Sequence, residues 1–264
     1  MNAVASAPLA VTGWLHPADP EPEAGLRLIL LHHSGGNATL YREWPALLPG
    51  DVSCQAVQLP GRHVRGQEQP YTRLEPLVDA LAEVLAAELD DRPYALFGHS
   101  MGALLGYRLA VRAGAPGLPA PALLAVSGWA PEGFGWAAGG FGSPVVPERA
   151  TDAEIVRAMA ALGSLPERVA ADGELLAAAV RTMRADSGVC ADYRDDGAAL
   201  CCPVVGYSGL EDPLLAPDAM DSWAGRTDRY LGTRRYPGGH FFLGDHAPAV
   251  TGDLVQLLRR HGTA

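Results

Sequence analysis

Lysine is missing from the chain altogether, and every one of its 20 basic residues is arginine. The chain therefore has no Schiff-base lysine, no lysine of a phosphate-binding P-loop and no kinase lysine that binds ATP. The net charge is −10, and no block of basic residues occurs. Because phosphate contacts require clustered positive charge, the sequence does not favour nucleic-acid binding.

Cysteines and long apolar runs are also scarce. The spacing of the four cysteines fits neither a CxxC pair nor a zinc site, which indicates buried small side chains rather than disulfides. The longest apolar runs are far shorter than the roughly 20 residues that a membrane helix needs. Residues 1–8 lack the basic region and apolar stretch of a signal peptide. We therefore expect a cytoplasmic protein that spans no membrane.

Short apolar segments alternate with amphipathic segments along most of the 264 residues. Strands are predicted at residues 26–31, 52–59, 94–97, 122–127, 203–207 and 229–236, with an edge strand near residues 11–14. Helices are predicted from Leu74 to the polar stretch at 90–93, at 103–112 and at 250–260. This alternation predicts a single α/β domain over residues 1–264, with a mostly parallel sheet covered by helices on both faces.

Residues 130–200 break this alternation. The segment begins with glycine-rich sequence, turns alanine-rich and helical in pattern, and contains no evident strand. We predict a helical insertion that forms a mobile lid over the edge of the sheet. The alternative is a helical subdomain with no gating role.

Residues 98–102, with the sequence Gly-His-Ser-Met-Gly, match the motif G-x-S-x-G. The motif follows a short apolar strand and precedes a helix, the context in which it holds a serine on a sharp, strained turn. Side chains two residues before or after the serine would crowd this turn, and the helix N-terminus stabilises developing negative charge. The pattern predicts that Ser100 is a nucleophile; the alternative is an ordinary helix N-cap serine.

A serine nucleophile needs a base, and the chain has eight histidines. His240 follows two glycines, which allow a tight loop, and precedes a Phe-Phe-Leu stretch that anchors it. It also lies late in the chain, as the order serine, acid, histidine of hydrolases with this turn requires. We therefore predict His240 as the base, with His246 as the alternative.

The acid that orients the histidine is expected between these residues, in a loop after a strand. Asp212 lies in the loop that follows the predicted strand at 203–207, and its carboxylate would hold the imidazole in the proton-accepting tautomer. Glu211 and Asp218 are the alternatives.

An oxyanion hole requires two backbone N–H donors. One is expected just after the nucleophile, at Met101, and the other in the loop after an early strand. Residues 32–36, His-His-Ser-Gly-Gly, form that loop, and Ser34 is the predicted donor. His33 either orients the loop through hydrogen bonds or only packs against it.

Taken together, these residues resemble the type II thioesterases of polyketide and nonribosomal peptide biosynthesis, which belong to the α/β-hydrolase superfamily. The resemblance is carried by the loop at 32–36, the Val-Gln-Leu-Pro-Gly-Arg stretch at 57–62, the turn at 97–103, Asp212 and the Gly-Gly-His-Phe-Phe-Leu stretch at 238–243. Two positions depart from the family pattern, because His32 replaces the usual proline and Ser34 the usual alanine.

The resemblance implies an α/β-hydrolase fold with a helical lid. It also implies hydrolysis of acyl groups from the phosphopantetheine arm of acyl or peptidyl carrier proteins. Ser100, His240 and Asp212 would form the catalytic triad, and the amides of Met101 and Ser34 the oxyanion hole. This mechanism needs no metal and no cofactor.

The implied partner is an acidic carrier protein, and this chain is acidic too, so docking requires a local basic or apolar surface. Arg62 and Arg65 are candidates for that surface, unless they belong to an ordinary solvated loop. Two other functions stay open. One is a small-molecule carboxylesterase or acyltransferase with the same triad, and the other is a catalytically inactive binding protein on the same fold.

Overall fold

The computed structural model describes residues 13–114, 117–135, 146 and 149–262. In these residues, seven strands form one sheet in the order β1-β3-β2-β4-β5-β6-β7. Every neighbouring pair is parallel except β1 with β3. The strands are β1 (Leu15–His16), β2 (Leu26–Leu31), β3 (Val52–Val57), β4 (Tyr94–His99), β5 (Leu123–Ser127), β6 (Val204–Gly209) and β7 (Tyr230–Tyr236). The predicted mostly parallel α/β sheet is confirmed.

The described helices are α1 (Leu74–Glu88), α2 (Met101–Arg112), α3 (Asp152–Ala161), α4 (Glu167–Ala170), α5 (Gly173–Asp192) and α6 (Leu243–His261). Ile29 and Leu31 of β2 pack in one apolar cluster with α1 and α2. Leu28 and Leu30 of the same strand pack in a second cluster with α6. Residues 28–31 of β2 are continuously apolar because the strand is buried on both faces, and the predicted coverage of both faces is confirmed.

Several element boundaries differ from the predicted ones. Strand β4 continues to His99, because Gly98 and His99 still pair with Val126 and Ser127 of β5. Helix α2 then begins at Met101. The turn between strand and helix therefore consists of one residue, Ser100.

The two ends of the described chain also differ from prediction. The edge strand is Leu15–His16 rather than 11–14, and residues 11 and 12 lie outside the described part. Helix α6 begins at Leu243, seven residues before the predicted start at Val250. Residues 243–249 read Leu-Gly-Asp-His-Ala-Pro-Ala, and they carry no apolar stripe that would reveal a helix. A proline this near a helix start removes one intrahelical hydrogen bond.

The described part of segment 130–200 contains α3, α4 and α5 and no strand. It has a small apolar cluster of its own, which includes Ile155 and Met183. Helix α5 also contacts α1 and α2. Of the glycines that open the segment, Gly139, Gly140 and Gly142 lie outside the described residues. In the residues that the structure describes, no helix combines the length and the apolarity needed to cross a membrane.

Two glycines allow the turn around Ser100 to pack closely. A β-carbon placed on Gly98 would lie 2.0 Å from the carbonyl oxygen of Gly102. A β-carbon placed on Gly102 would lie 2.1 Å from the carbonyl oxygen of Leu31, at the end of β2. No side chain fits at either distance, so the predicted crowding is confirmed.

We expect Gly102→Ala to lower the free energy of unfolding by about 3 kcal/mol or more, because backbone would have to move. Gly252, in the interior of α6, is the matched control, since a β-carbon there meets no atom within 4 Å. Gly252→Ala should raise the free energy of unfolding by about 0.5–1 kcal/mol. Urea denaturation of both variants measures this, and equal stability of the two would contradict the close packing.

Candidate active site

Ser100 occupies a strained backbone conformation, with φ 56° and ψ −118°. Residues with a side chain rarely adopt positive φ, and the strain costs about 1–3 kcal/mol. The Ser100 amide donates to the Ser127 carbonyl oxygen at 2.7 Å, which holds the turn against β5. Its side chain makes no capping hydrogen bond to α2 and lines a cavity. The geometry is therefore not that of an ordinary N-cap serine.

His240 and Asp212 meet at the carboxyl ends of two neighbouring parallel strands, β7 and β6. The Nδ1 atom of His240 lies 2.8 Å from Oδ2 of Asp212, and both side chains are buried. The second carboxylate oxygen of Asp212 accepts the Leu214 amide at 2.9 Å. A carboxylate held at Nδ1–H leaves the lone pair of a neutral imidazole on Nε2. His240 lines the same cavity as Ser100.

The alternatives that the sequence left open lie elsewhere. Glu211 is exposed, and its carboxylate accepts the Gly238 amide at 2.6 Å. Asp218 is exposed as well. His246 contacts the carbonyl oxygen of Pro237 at 3.0 Å through its own Nε2. Of the predicted acids and bases, the structure brings together Asp212 and His240.

The loop at residues 32–36 borders the cavity beside Ser100. The Gly36 amide donates to the His33 carbonyl oxygen at 3.0 Å, and the Gly35 amide donates to Asp186 at 2.7 Å. Among the residues that the structure describes, none accepts a hydrogen bond from the Ser34 amide. An amide without such an acceptor can donate to an oxyanion, which is the role predicted for Ser34.

His33 both orients this loop and packs against it. Its Nδ1–H donates to the carbonyl oxygen of Ser34 at 2.8 Å, and its ring lies 4.9 Å from that of Phe241. Burial lowers the pKa of His33 to about 4, so the ring is neutral near pH 7. Burial also holds the pKa of His32 and of His99 well below the usual value. The His99 ring, 4.9 Å from that of His240, therefore adds no positive charge next to it.

The cavity has a volume of about 420 Å³. Its walls are mainly apolar and come both from the loops at the carboxyl ends of the strands and from α5. Lining residues from the strand loops include Trp129, Ala130, Phe134, Leu214 and Phe241, and those from α5 include Met183, Ser187, Cys190 and Ala191. An apolar chain attached to Ser100 would find room in this space.

The expectation that Arg62 and Arg65 form a docking surface is wrong. The Arg62 guanidinium is buried and donates to both carboxylate oxygens of Asp186, each at 2.6 Å. Arg65 is buried too, lies over the Trp14 ring at 4.1 Å and pairs with Glu68. Guanidinium is weakly hydrated and planar, so it can be buried where a carboxylate or an aromatic face matches it.

Asp186 is the residue near the site that the sequence reasoning missed. The signal was an acid at a buried helical position, because Met183 and Val189, three residues to either side, are buried as well. A buried carboxylate requires a partner, and Arg62 of the 57–62 stretch provides it.

Comparison with known proteins agrees with this geometry. The family model of the thioesterase domain matches residues 26–258. The chain belongs to the thioesterase family. This thioesterase is a hydrolase of thioester bonds, and the resemblance drawn from its motifs is confirmed.

One relative and two solved structures illustrate the similarity to known proteins. The thioesterase is 31% identical over 240 residues to the gramicidin S biosynthesis protein GrsT of Aneurinibacillus migulanus, which covers 88% of this chain and 89% of GrsT. The type II thioesterase BorB from the borrelidin biosynthetic cluster is 33% identical, with a TM-score of 0.77 over 93% of this chain and 97% of BorB. The RedJ thioesterase from the prodiginine biosynthetic pathway in Streptomyces coelicolor is 30% identical, with a TM-score of 0.78 over 97% and 96% of the two chains.

We expect the free energy of unfolding to fall as the pH is lowered from about 6.5 towards 4. The lowered pKa of His33, from 6.5 to about 4, means that the unfolded chain binds more protons than the folded chain in this range. His32 and His99 act in the same direction. Each histidine contributes a slope of up to about 1.4 kcal/mol per pH unit. Urea denaturation at a series of pH values measures it, and a flat profile between about pH 7 and 5 would contradict the burial of neutral histidines.

Proposed function

We propose that this thioesterase belongs to the type II class and hydrolyses acyl groups from the phosphopantetheine arm of acyl or peptidyl carrier proteins. The observation that carries the proposal is the buried His240–Asp212 pair, which shares an acyl-sized cavity with the strained Ser100. The similarity to BorB, a type II thioesterase, and to RedJ supports this class of substrate. The proposal includes a cytoplasmic location for the enzyme.

In the proposed mechanism, Ser100 Oγ attacks the thioester carbonyl carbon while His240 Nε2 takes its proton. Asp212 stabilises the imidazolium that forms. The amides of Met101 and Ser34 hold the oxyanion. The tetrahedral intermediate collapses, the C–S bond breaks, and His240 gives its proton to the leaving pantetheine thiolate. His240 then activates a water molecule, which releases the carboxylic acid and restores the Ser100 hydroxyl.

The cavity suits an acyl chain that extends from Ser100 along α5. In the related RedJ, a PEG molecule is bound in the active site, which is a precedent for an extended chain at this place. Burial raises the pKa of the Cys190 thiol, in the cavity wall, to about 12. Cys190 is therefore a neutral thiol that does not compete with Ser100 as a nucleophile. We further propose that α3, α4 and α5, the described helices of segment 130–200, act as a lid over this cavity.

The substrate class is tested with one acyl group presented in three ways: on a carrier protein, on free pantetheine and as a nitrophenyl ester. We expect the highest kcat/KM on the carrier protein, with free acid as the product. No preference for the carrier, or a preference for the nitrophenyl ester, would favour a small-molecule esterase. Transfer of the acyl group to an added alcohol in place of hydrolysis would favour an acyltransferase.

The triad is tested by substitutions that keep the fold. We expect Ser100→Ala to lower kcat by about 10⁴-fold or more and to abolish covalent labelling by a fluorophosphonate. Asp212→Asn should lower kcat by about 10⁴-fold, because the histidine then takes the wrong tautomer. Asp218→Asn is the matched control, since Asp218 is exposed and asparagine tolerates its positive φ of 59°. If Asp212→Asn were as active as Asp218→Asn, the acid would have to be sought elsewhere.

A further inference from the structure

A buried ion pair ties α5 to the core of the enzyme beside the active site. Arg62, which follows β3, donates from Nη1 to Oδ2 and from Nη2 to Oδ1 of Asp186, each at 2.6 Å. The two side chains are 5% and 1% exposed. Hydrogen bonds of this charged, two-point kind are short and fix the relative orientation of both groups.

The same two side chains also hold the oxyanion loop. Oδ2 of Asp186 accepts the Gly35 amide at 2.7 Å, and Nη1 of Arg62 donates to the Gly36 carbonyl oxygen at 3.2 Å. The loop is thus held at an amide and at a carbonyl group, directly after Ser34. In the sequence, Asp186 is 151 residues away from Gly35.

The loop cannot shift without breaking its hydrogen bonds to a buried carboxylate and a buried guanidinium. Removing one partner of a buried ion pair is strongly unfavourable, because the other charge loses its solvation and its counterion together. Catalysis by an oxyanion hole depends on amides that are already in position when the charge develops. A displacement of about 1 Å at such a site can cost about 100-fold in rate.

We propose that Asp186, paired with Arg62, is a positioning residue that sets the Ser34 amide for the transition state and thereby couples the placement of α5 to the oxyanion hole. The hole is complete only when α5 is docked on the loop. This inference rests on the proposed function, because Ser34 is there the donor to the thioester oxyanion.

The coupling has a consequence for substrate binding. Helix α5 also contributes Met183, Ser187 and Cys190 to the cavity wall. An acyl chain that packs on these residues favours the docked position of α5, and the docked helix in turn holds the loop. Occupation of the acyl cavity and completion of the oxyanion hole are therefore linked.

Asp186→Ala tests the proposal, and the chain offers a matched control on the same helix. Asp192 also joins α5 to the core, because its Oδ2 accepts the Leu74 amide at 3.0 Å. That contact lies at the start of α1, away from the oxyanion loop. Asp192→Ala therefore removes one contact between α5 and the core without touching the loop. It should leave kcat unchanged, because the Arg62–Asp186 pair still holds α5 on the loop.

Two ligands distinguish binding of the transition state from binding of the ground state. In a trifluoromethyl ketone analogue of acyl-pantetheine, the carbonyl carbon is attacked by Ser100 Oγ. The serine proton moves to His240, and the carbonyl oxygen becomes an oxyanion in the hole. A thioether analogue occupies the same cavity but forms no oxyanion. For Asp186→Ala we expect kcat and the affinity for the ketone to fall in parallel, each by about 10- to 100-fold. The affinity for the thioether and the KM should stay close to those of the wild-type enzyme.

A second variant tests the proposal even if Asp186→Ala fails to fold. The double substitution Arg62→Met with Asp186→Leu leaves no lone charge in the interior, yet the Gly35 amide still loses its acceptor. We expect the same parallel loss of kcat and ketone affinity, with a cooperative thermal transition. Wild-type kcat and ketone affinity in either folded variant would overturn the proposal, as would an equal loss of affinity for the thioether. The wild-type enzyme, assayed on carrier-bound substrate, tests the proposed function separately.

Discussion

The site depends on one close contact between backbone atoms, where the end of β2 meets the first turn of α2 at Gly102. A β-carbon on Gly102 would lie 2.1 Å from the Leu31 carbonyl oxygen, so only glycine permits this approach. Met101 lies one residue before the contact on α2, and Ser34 lies three residues beyond it on the other chain segment. The contact therefore joins the two chain segments that carry the proposed oxyanion donors, and Ser34 lines the same cavity as Ser100. The strained φ of Ser100 is tolerated because strand pairing and helix packing fix both of its neighbours.

Around this contact, the buried carboxylates that the structure describes are paired. The Asp212 carboxylate accepts hydrogen bonds from His240 and from a backbone amide. The Asp186 carboxylate accepts them from Arg62 and from the Gly35 amide of the oxyanion loop. The neighbouring histidines are held neutral by burial. A thioester oxyanion would consequently meet oriented N–H dipoles and one new positive charge, on His240, in surroundings of low dielectric constant.

The sequence was sufficient for the parts of the molecule that local rules determine. Apolar runs located the buried strands, because a strand covered on both faces needs apolar side chains. The glycines around Ser100 marked the turn, because they belong to a short motif that lies between a strand and a helix. Asp212 and His240 could be chosen by chain order, since parallel strands end at the same edge of the sheet. The sequence left Arg62 open between a docking surface and a solvated loop, because its partner Asp186 is 124 residues away and only the tertiary fold brings the two together. The start of α6 differs from the prediction because residues 243–249 contain a glycine and Pro248 and show no apolar stripe.

The proposed mechanism is tested most directly by identifying the residue that is acylated during turnover. Wild-type enzyme is mixed with acyl carrier protein, the reaction is quenched in acid within the first turnover, and the protein is digested for mass spectrometry. We predict an acyl group bound as an ester to Ser100 of the wild-type enzyme, and no such adduct in the Ser100→Ala variant. Acylation of another residue, such as Cys190, or hydrolysis by the Ser100→Ala variant at the wild-type rate, would contradict it.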